Sequence, residues 1–80
     1  MYSIATGIKI MLDADKETRL GNYRGAEQDL QLALEKFQQG GYSKGKFFAE
    51  QRLNRVQFLA LENERKMIAM KTNREIYFKT

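Results

Sequence analysis

The sequence contains no cysteine, histidine, proline or tryptophan. Without cysteine the chain can form neither a disulfide nor a thiolate nucleophile, and without histidine it lacks the commonest general base and transition-metal ligand. Its longest apolar runs, residues 58–61 and 67–70, have four residues each, far fewer than the roughly 20 residues of a membrane-spanning helix. The start of the chain also lacks the charged and apolar regions of a signal peptide. We therefore expect a cytoplasmic protein with no metal site and no membrane span.

The chain has only 80 residues and is predicted to form a single domain, residues 1–80. Its composition, 42% hydrophobic and 30% charged, is typical of a globular protein. A domain of this size has a modest core, and the composition excludes the disulfides or structural histidine–metal sites that support many small domains. Association with another protein or with a second copy is the remaining source of additional stability.

Glycines are the only strong helix breakers, and they divide the chain into three segments with apolar residues at helical spacing. The pattern predicts helices over residues 3–20, 22–39 and 44–72, with Ser3, Asn22 and Ser43 as N-caps. Strand signals are weak throughout, and residues 74–80 are compatible with helix, strand or tail. The predicted fold is therefore all-α, a helical hairpin or three-helix domain with a long C-terminal helix.

The third predicted helix is longer than the other two. It would span about 43 Å, against about 27 Å for each of the first two. Its part beyond residues 62–64 would therefore extend past the second helix, with apolar side chains that nothing covers. We expect another protein or a second copy to cover them. The predicted partner-binding residues are Phe58, Met67, Ile68, Met70, Ile76, Tyr77 and Phe78.

Polar residues interrupt the heptad-like spacing of this helix at Asn63 and Arg74. A polar side chain at such a position can set the register and partner number of a helical assembly, and we assign this role to Asn63. The alternative, that the side chain faces water, stays open for Asn63 and is preferred for Arg74. Met67 and Met70 are compatible with core packing or with an adaptable binding surface.

Basic charge is concentrated in the second half of the chain. Residues 1–43 carry five Lys/Arg and six Asp/Glu, a net charge of −1, whereas residues 44–80 carry nine and four, a net charge of +5. A basic helix can neutralise phosphates, so the alternative function is a small DNA- or RNA-binding regulator. Its contacts would be Arg52, Arg55, Arg65, Lys66, Lys71 and Arg74. Interspersed glutamates also fit a helix face that is simply solvated.

No group of residues indicates catalysis. Asp13, Asp15 and Glu17 are spaced two apart, which directs successive carboxylates to different faces of a helix. Residues 40–46 lack the preceding strand and the Gly-Lys-Ser/Thr ending of a phosphate loop. The sequence therefore predicts no enzyme, no catalytic residue, no cofactor and no small-molecule substrate.

The segment GNYRGAEQDLQLALE, residues 21–35, resembles the turn and second helix of a tetratricopeptide repeat. Gly21 and Tyr23 correspond to the turn glycine and the aromatic residue that follows it. Ala26 and Ala33 match the small residues that let the helices approach closely, and Leu30 matches a large apolar position. The resemblance implies a helical hairpin that binds proteins and is not catalytic.

The resemblance covers 15 of 80 residues, and the flanking sequence departs from the family pattern. Asp13 and Glu17 occupy positions where the family usually carries an apolar and an aromatic residue, and Gln38 replaces the expected proline. The remaining 40 residues show no second copy, although a stable solenoid needs at least three repeats. The sequence thus predicts a non-enzymatic adaptor, chaperone-like or regulatory protein that docks a partner or a second copy through helix 3.

Overall fold

The computed structural model describes the backbone of residues 2–79 and the side chains of residues 3–68. Three helices follow one another, α1 (Tyr2–Arg19), α2 (Tyr23–Gln39) and α3 (Ser43–Lys79). No strand forms between residues 2 and 79. The prediction of an all-α domain with a long C-terminal helix is therefore confirmed, and α3 continues as a helix through Lys79.

Two of the predicted N-caps are wrong. Ser3 lies inside α1, and Ser43 is already the first residue of α3. The carbonyl of Tyr42 accepts a hydrogen bond from the Lys46 amide at 3.1 Å, which places Tyr42 at the N-cap position. The geometry of the preceding turn fixes where α3 begins, and this overrides the capping preference of serine.

The first turn ends α1 with a Schellman motif. Gly21 has a φ of +82°, a left-handed conformation that costs glycine little. The Asn22 amide donates to the Glu17 carbonyl at 2.9 Å, and the Gly21 amide donates to the Thr18 carbonyl at 3.1 Å. Asn22 then caps α2, because its side chain accepts a hydrogen bond from the Gly25 amide at 3.2 Å. The predicted roles of Gly21 and Asn22 are confirmed.

The second turn repeats the first, 20 residues further along the chain. Gly41 has a φ of +66°. The Tyr42 amide donates to the Phe37 carbonyl at 2.8 Å, and the Gly41 amide donates to the Gln38 carbonyl at 3.2 Å. The rings of Phe37 and Tyr42 meet edge to face with 5.7 Å between centroids, which supplies the apolar contact that often accompanies this motif.

Helix α2 is the central element, because it packs against both α1 and α3 while those two helices touch only marginally. Its predicted apolar face is confirmed, and four of its side chains are buried: Ala26, Leu30, Ala33 and Phe37. The other helices contribute Met11, Ala14, Ala49 and Val56 to the same core. Half of these residues are alanine, and such short side chains let the helices lie close together.

Phe37 is held between two glycines from different helices. Its side chain is fully buried, and a Cβ atom added to Gly7 of α1 would lie 2.8 Å from the Phe37 ring. A Cβ atom added to Gly45 of α3 would lie 2.7 Å from the same ring. The ring therefore fills the space left by both missing side chains and joins all three helices at one end of the molecule.

Helix α3 extends well past the rest of the structure. It has 37 residues against 17 in α2, or about 56 Å against about 26 Å. The start of α2 lies near Ala60, Asn63 and Glu64, and every residue from 61 to 68 is exposed. The predicted extension beyond residues 62–64 is thus confirmed within the described side chains.

The dimensions reflect this extension. The molecule measures 62 × 17 × 14 Å with a radius of gyration of 16.8 Å, whereas a compact domain of this length has a radius of about 12 Å. Its accessible surface is 6426 Å², against roughly 5,000 Å² for a compact protein of this mass. The folded chain therefore leaves about 1,400 Å² more surface in water than a compact monomer would.

We predict that Gly45→Ala destabilises the protein by about 1–3 kcal/mol, because the added methyl group overlaps the Phe37 ring and Gly7 leaves that ring no room to retreat. The sign of the change in unfolding free energy is diagnostic, since Gly→Ala inside a helix normally stabilises a protein by about 0.5–1 kcal/mol. Urea denaturation followed by circular dichroism measures the change. The same substitution in a Phe37→Leu background should cost less, and a stabilising Gly45→Ala would contradict the packing.

Candidate protein-binding surface

The overhang, defined as residues 61–68 of α3, is the longest run of exposed residues among the described side chains. Three large apolar side chains lie on it: Leu61 is 49% exposed, Met67 63% and Ile68 65%. Phe58, just before the overhang, is 60% exposed. Of the predicted partner-binding residues, Phe58, Met67 and Ile68 are therefore exposed. A turn of 100° per residue places Phe58 and Ile68 on the side of α3 away from Val56, and Met67 on the same side as Val56. The other four, Met70, Ile76, Tyr77 and Phe78, lie outside the described side chains.

Phe58, Leu59 and Leu61 make the middle of α3 apolar nearly all round, which predicts that it is enclosed on more than one side. In the single chain it is not, since α2 covers one side only and Phe58 stays exposed. Leu61 is not among the predicted site residues, because it precedes residues 62–64, beyond which the extension was expected. It lies on the side of α3 opposite Val56.

Asn63 is exposed on the overhang. Its Nδ2 atom lies 3.9 Å from the Met67 sulfur, within the range of a weak hydrogen bond. Within the single chain the Asn63 side chain does not lie between helices, so its proposed role in setting register stays a prediction.

The predicted nucleic-acid contacts differ in their surroundings. Arg52 Nε donates to both carboxylate oxygens of Asp15, at 3.0 and 3.3 Å, and so ties α3 to α1. Both side chains are 37% exposed, so the pair contributes at most about 1 kcal/mol. Arg65 and Lys66 are exposed on the overhang. Lys71 and Arg74 lie outside the described side chains.

A groove of about 590 Å³ runs between α1 and α3 beside this ion pair. Its lining residues are Leu12, Asp15, Thr18, Arg19, Arg52, Arg55 and Val56. Sequence reasoning missed the groove, because Asp15 and Arg52 lie 37 positions apart and no local pattern indicates which acidic residue an arginine of α3 meets.

Acidic side chains of α1 and α2 meet on another side of the hairpin. The pKa of Glu17 is raised above its ordinary value of 4.5 by desolvation, and further by the carboxylates of Asp29 and Asp13. The Glu17 Oε2 atom is enclosed and has no hydrogen-bond donor among the described residues. As predicted, Asp15 does not join this group, since it pairs with Arg52. Asp13 and Glu17, four residues apart, do share a face, which the two-residue spacing argument overlooked.

Among the side chains of residues 3–68, no group of three or more acidic residues is arranged to hold a metal ion. The described helices also include none that combines the length and apolar character needed to cross a bilayer.

The chain matches no protein-family model, no curated protein and no solved structure. The residues on which the tetratricopeptide resemblance depends do occupy the core, since Ala26, Leu30 and Ala33 are 0–1% exposed. Burial at these positions is what close packing of any helical hairpin requires. The relationship to that family therefore stays a prediction.

We predict that Glu17→Gln raises the free energy of unfolding near pH 7. A carboxyl group whose pKa is higher in the folded state than in the unfolded chain destabilises the fold once it ionises, and this penalty is lost as the pH falls through the raised pKa. The glutamine variant has no such penalty. Urea denaturation should therefore show it to be more stable than wild type near pH 7 but not near pH 3.5, well below the ordinary pKa.

Glu35→Gln is the matched control, since Glu35 is an exposed glutamate on α2. It should leave the pH dependence of stability close to that of wild type. A Glu17→Gln variant less stable than wild type near pH 7 would show that the carboxylate is favourable in its ionised form.

Proposed function

We propose that the protein is a non-enzymatic adaptor or regulator that binds protein partners through α3, with the α1–α2 hairpin holding that helix in place. The single observation that carries the proposal is the overhang, in which every residue from 61 to 68 is exposed while three large apolar side chains lie on it. Exposed apolar surface of this kind is typical of a protein interaction site.

The energetics favour a partner that adds contacts of its own. Burying the exposed parts of Phe58, Leu61, Met67 and Ile68 would contribute roughly 5 kcal/mol in total. This is near the lower end of the estimated 4–15 kcal/mol cost of association. A second helix laid along α3 would supply further contacts, and because α3 is already helical, little ordering cost is added on its side.

The distribution of charge favours a protein over a nucleic acid. Arg52 is paired with Asp15 and so is already neutralised by a carboxylate. The overhang carries two glutamates and two basic residues, a net charge of zero. A phosphate backbone laid along it would approach carboxylates as often as cations, whereas an apolar protein surface with a polar rim would not.

Binding of this kind would act by covering surface, either by keeping a partner soluble or by blocking its other contacts. The resemblance of residues 21–35 to a tetratricopeptide repeat supports the same class of function, since members of that family bind proteins without catalysing reactions. The partner is inferred only as a protein that presents an apolar helical face.

Site-specific photocrosslinking in cells tests the proposal. A photoreactive phenylalanine analogue in place of Leu61 or Ile68 should form covalent adducts with protein, because both positions lie on the exposed apolar surface. Gln31, an exposed residue of α2 outside the overhang, is the control position. Gel shift and mass spectrometry, with and without nuclease, identify the adducts.

Protein adducts from Leu61 and Ile68 above the Gln31 background are the expected result, whether the captured chain is another protein or a second copy. Adducts that disappear after nuclease treatment would favour the nucleic-acid alternative. Adducts no more abundant than those from Gln31 would contradict docking through this part of α3.

A further inference from the structure

Helix α3 carries a second heptad register on the side away from α2. Val56 marks the side that packs against the core, and a turn of 100° per residue places the second register opposite to it. We call this set the rear face: residues Phe47, Gln51, Asn54, Phe58, Leu61, Arg65 and Ile68. Their spacings alternate between four and three, the a/d pattern of a coiled coil. All seven are exposed.

We propose that the rear face binds the rear face of a second copy, so that two α3 helices form an antiparallel coiled-coil dimer. The inference rests on the proposed function, because both make α3 the docking element. It adds the identity of one partner, the direction in which the two helices run and the register between them.

The register follows from the apolar residues. An antiparallel pair with its two-fold axis between residues 59 and 60 sets each Phe58 against Leu61 of the second copy, twice in the dimer. These are large apolar side chains that are 60% and 49% exposed in the single chain. The same axis sets Arg65 against Asn54 of the second copy, a polar contact, and Ile68 against the aliphatic part of Gln51.

Charges beside the rear face are complementary in this register. Arg55 and Glu62 both occupy flanking positions, one residue after Asn54 and Leu61. In an antiparallel pair such flanking positions face each other, so Arg55 of each copy lies near Glu62 of the other. Neither residue has an ion-pair partner among the described side chains of its own chain. The dimer would therefore gain two ion pairs without breaking one.

A parallel pair is disfavoured by the same residues. In a parallel coiled coil each seam position faces its own counterpart, so Arg65 would face Arg65 within the seam. Like charges at that distance repel, and a seam position lets them move apart less than a surface position does. The antiparallel register places no like charges opposite each other between residues 51 and 68.

The lengths of the helices also fit the antiparallel arrangement. Residues 51–68 of the two copies would overlap over about 27 Å. Each overhang would then lie along residues 51–58 of the other copy, a stretch that is supported by α2 on its other side. The overhang would no longer be an isolated stretch of helix, and the excess exposed surface of the single chain would be reduced.

Sedimentation equilibrium of the full chain over a concentration series tests the dimer, with circular dichroism on the same samples to verify helix content. Wild type should approach twice the monomer mass of 9.4 kDa as concentration rises. Phe58→Glu should lower the association constant at least about tenfold, because it places a carboxylate against Leu61. Leu32→Glu is the matched control, since Leu32 is 42% exposed but lies on α2, and it should leave association unchanged.

A charge exchange tests the direction of the pair. Arg55→Glu and Glu62→Arg should each weaken association about tenfold, and the double variant should restore it to within about threefold of wild type. In a parallel pair Arg55 would instead lie near Glu50, so that rescue of Arg55→Glu by Glu50→Arg and not by Glu62→Arg would overturn the antiparallel register.

A wild-type chain that stays helical and monomeric at every concentration would overturn the dimer altogether. That outcome is distinguishable from failure of the proposed function, because photocrosslinks from Leu61 or Ile68 to a different protein would still appear. Equal weakening by Phe58→Glu and Leu32→Glu would also overturn the assignment to the rear face.

Discussion

The arrangement of the three helices depends on the Phe37 ring, which fills the space between Gly7 and Gly45 and so fixes α1 and α3 against α2 at one end of the molecule. Both connecting turns are three residues long and share the same hydrogen bonding. Once the helices are aligned at that end, a helix of 37 residues must extend past partners of 18 and 17. The overhang is therefore a direct consequence of the core.

This geometry separates α3 into two functional parts. Its first half is a structural element with a buried side towards α2 and an exposed rear face. Its second half passes the start of α2 near Asn63 and Glu64, and every residue of the overhang is exposed. Apolar residues continue along the rear face across both parts. A helix whose only role was to pack against α2 would not need them there. Basic and acidic residues, Arg55 and Glu62, flank the rear face. This arrangement favours a partner whose flanking charges are also mixed, and a second copy meets that condition.

Local features of the fold were predictable from the sequence, whereas contacts between distant residues were not. Gly21, Gly41 and Asn22 act through their own backbone and nearest neighbours, so their roles could be read directly. The predicted N-cap at Ser43 was wrong because the geometry of the preceding turn outweighs the capping preference of serine, and the predicted N-cap at Ser3 was wrong because Ser3 lies inside α1. Within the site, exposure of Met67 and Ile68 followed from helix lengths alone. The groove beside Asp15 and Arg52, and the contact of Phe37 with two glycines, depend on how the helices pack together.

The most direct test of the account is a distance between two copies of α3. The chain has no cysteine, so Lys44→Cys gives a single position for a spin label near the start of that helix. Pulsed electron–electron double resonance measures the distance between the two labels. In the antiparallel dimer this distance should be about 45–50 Å, since residue 44 lies about 15 residues from the two-fold axis. A distance below about 25 Å would indicate parallel helices, and the absence of any intermolecular distance at high concentration would contradict self-association through α3.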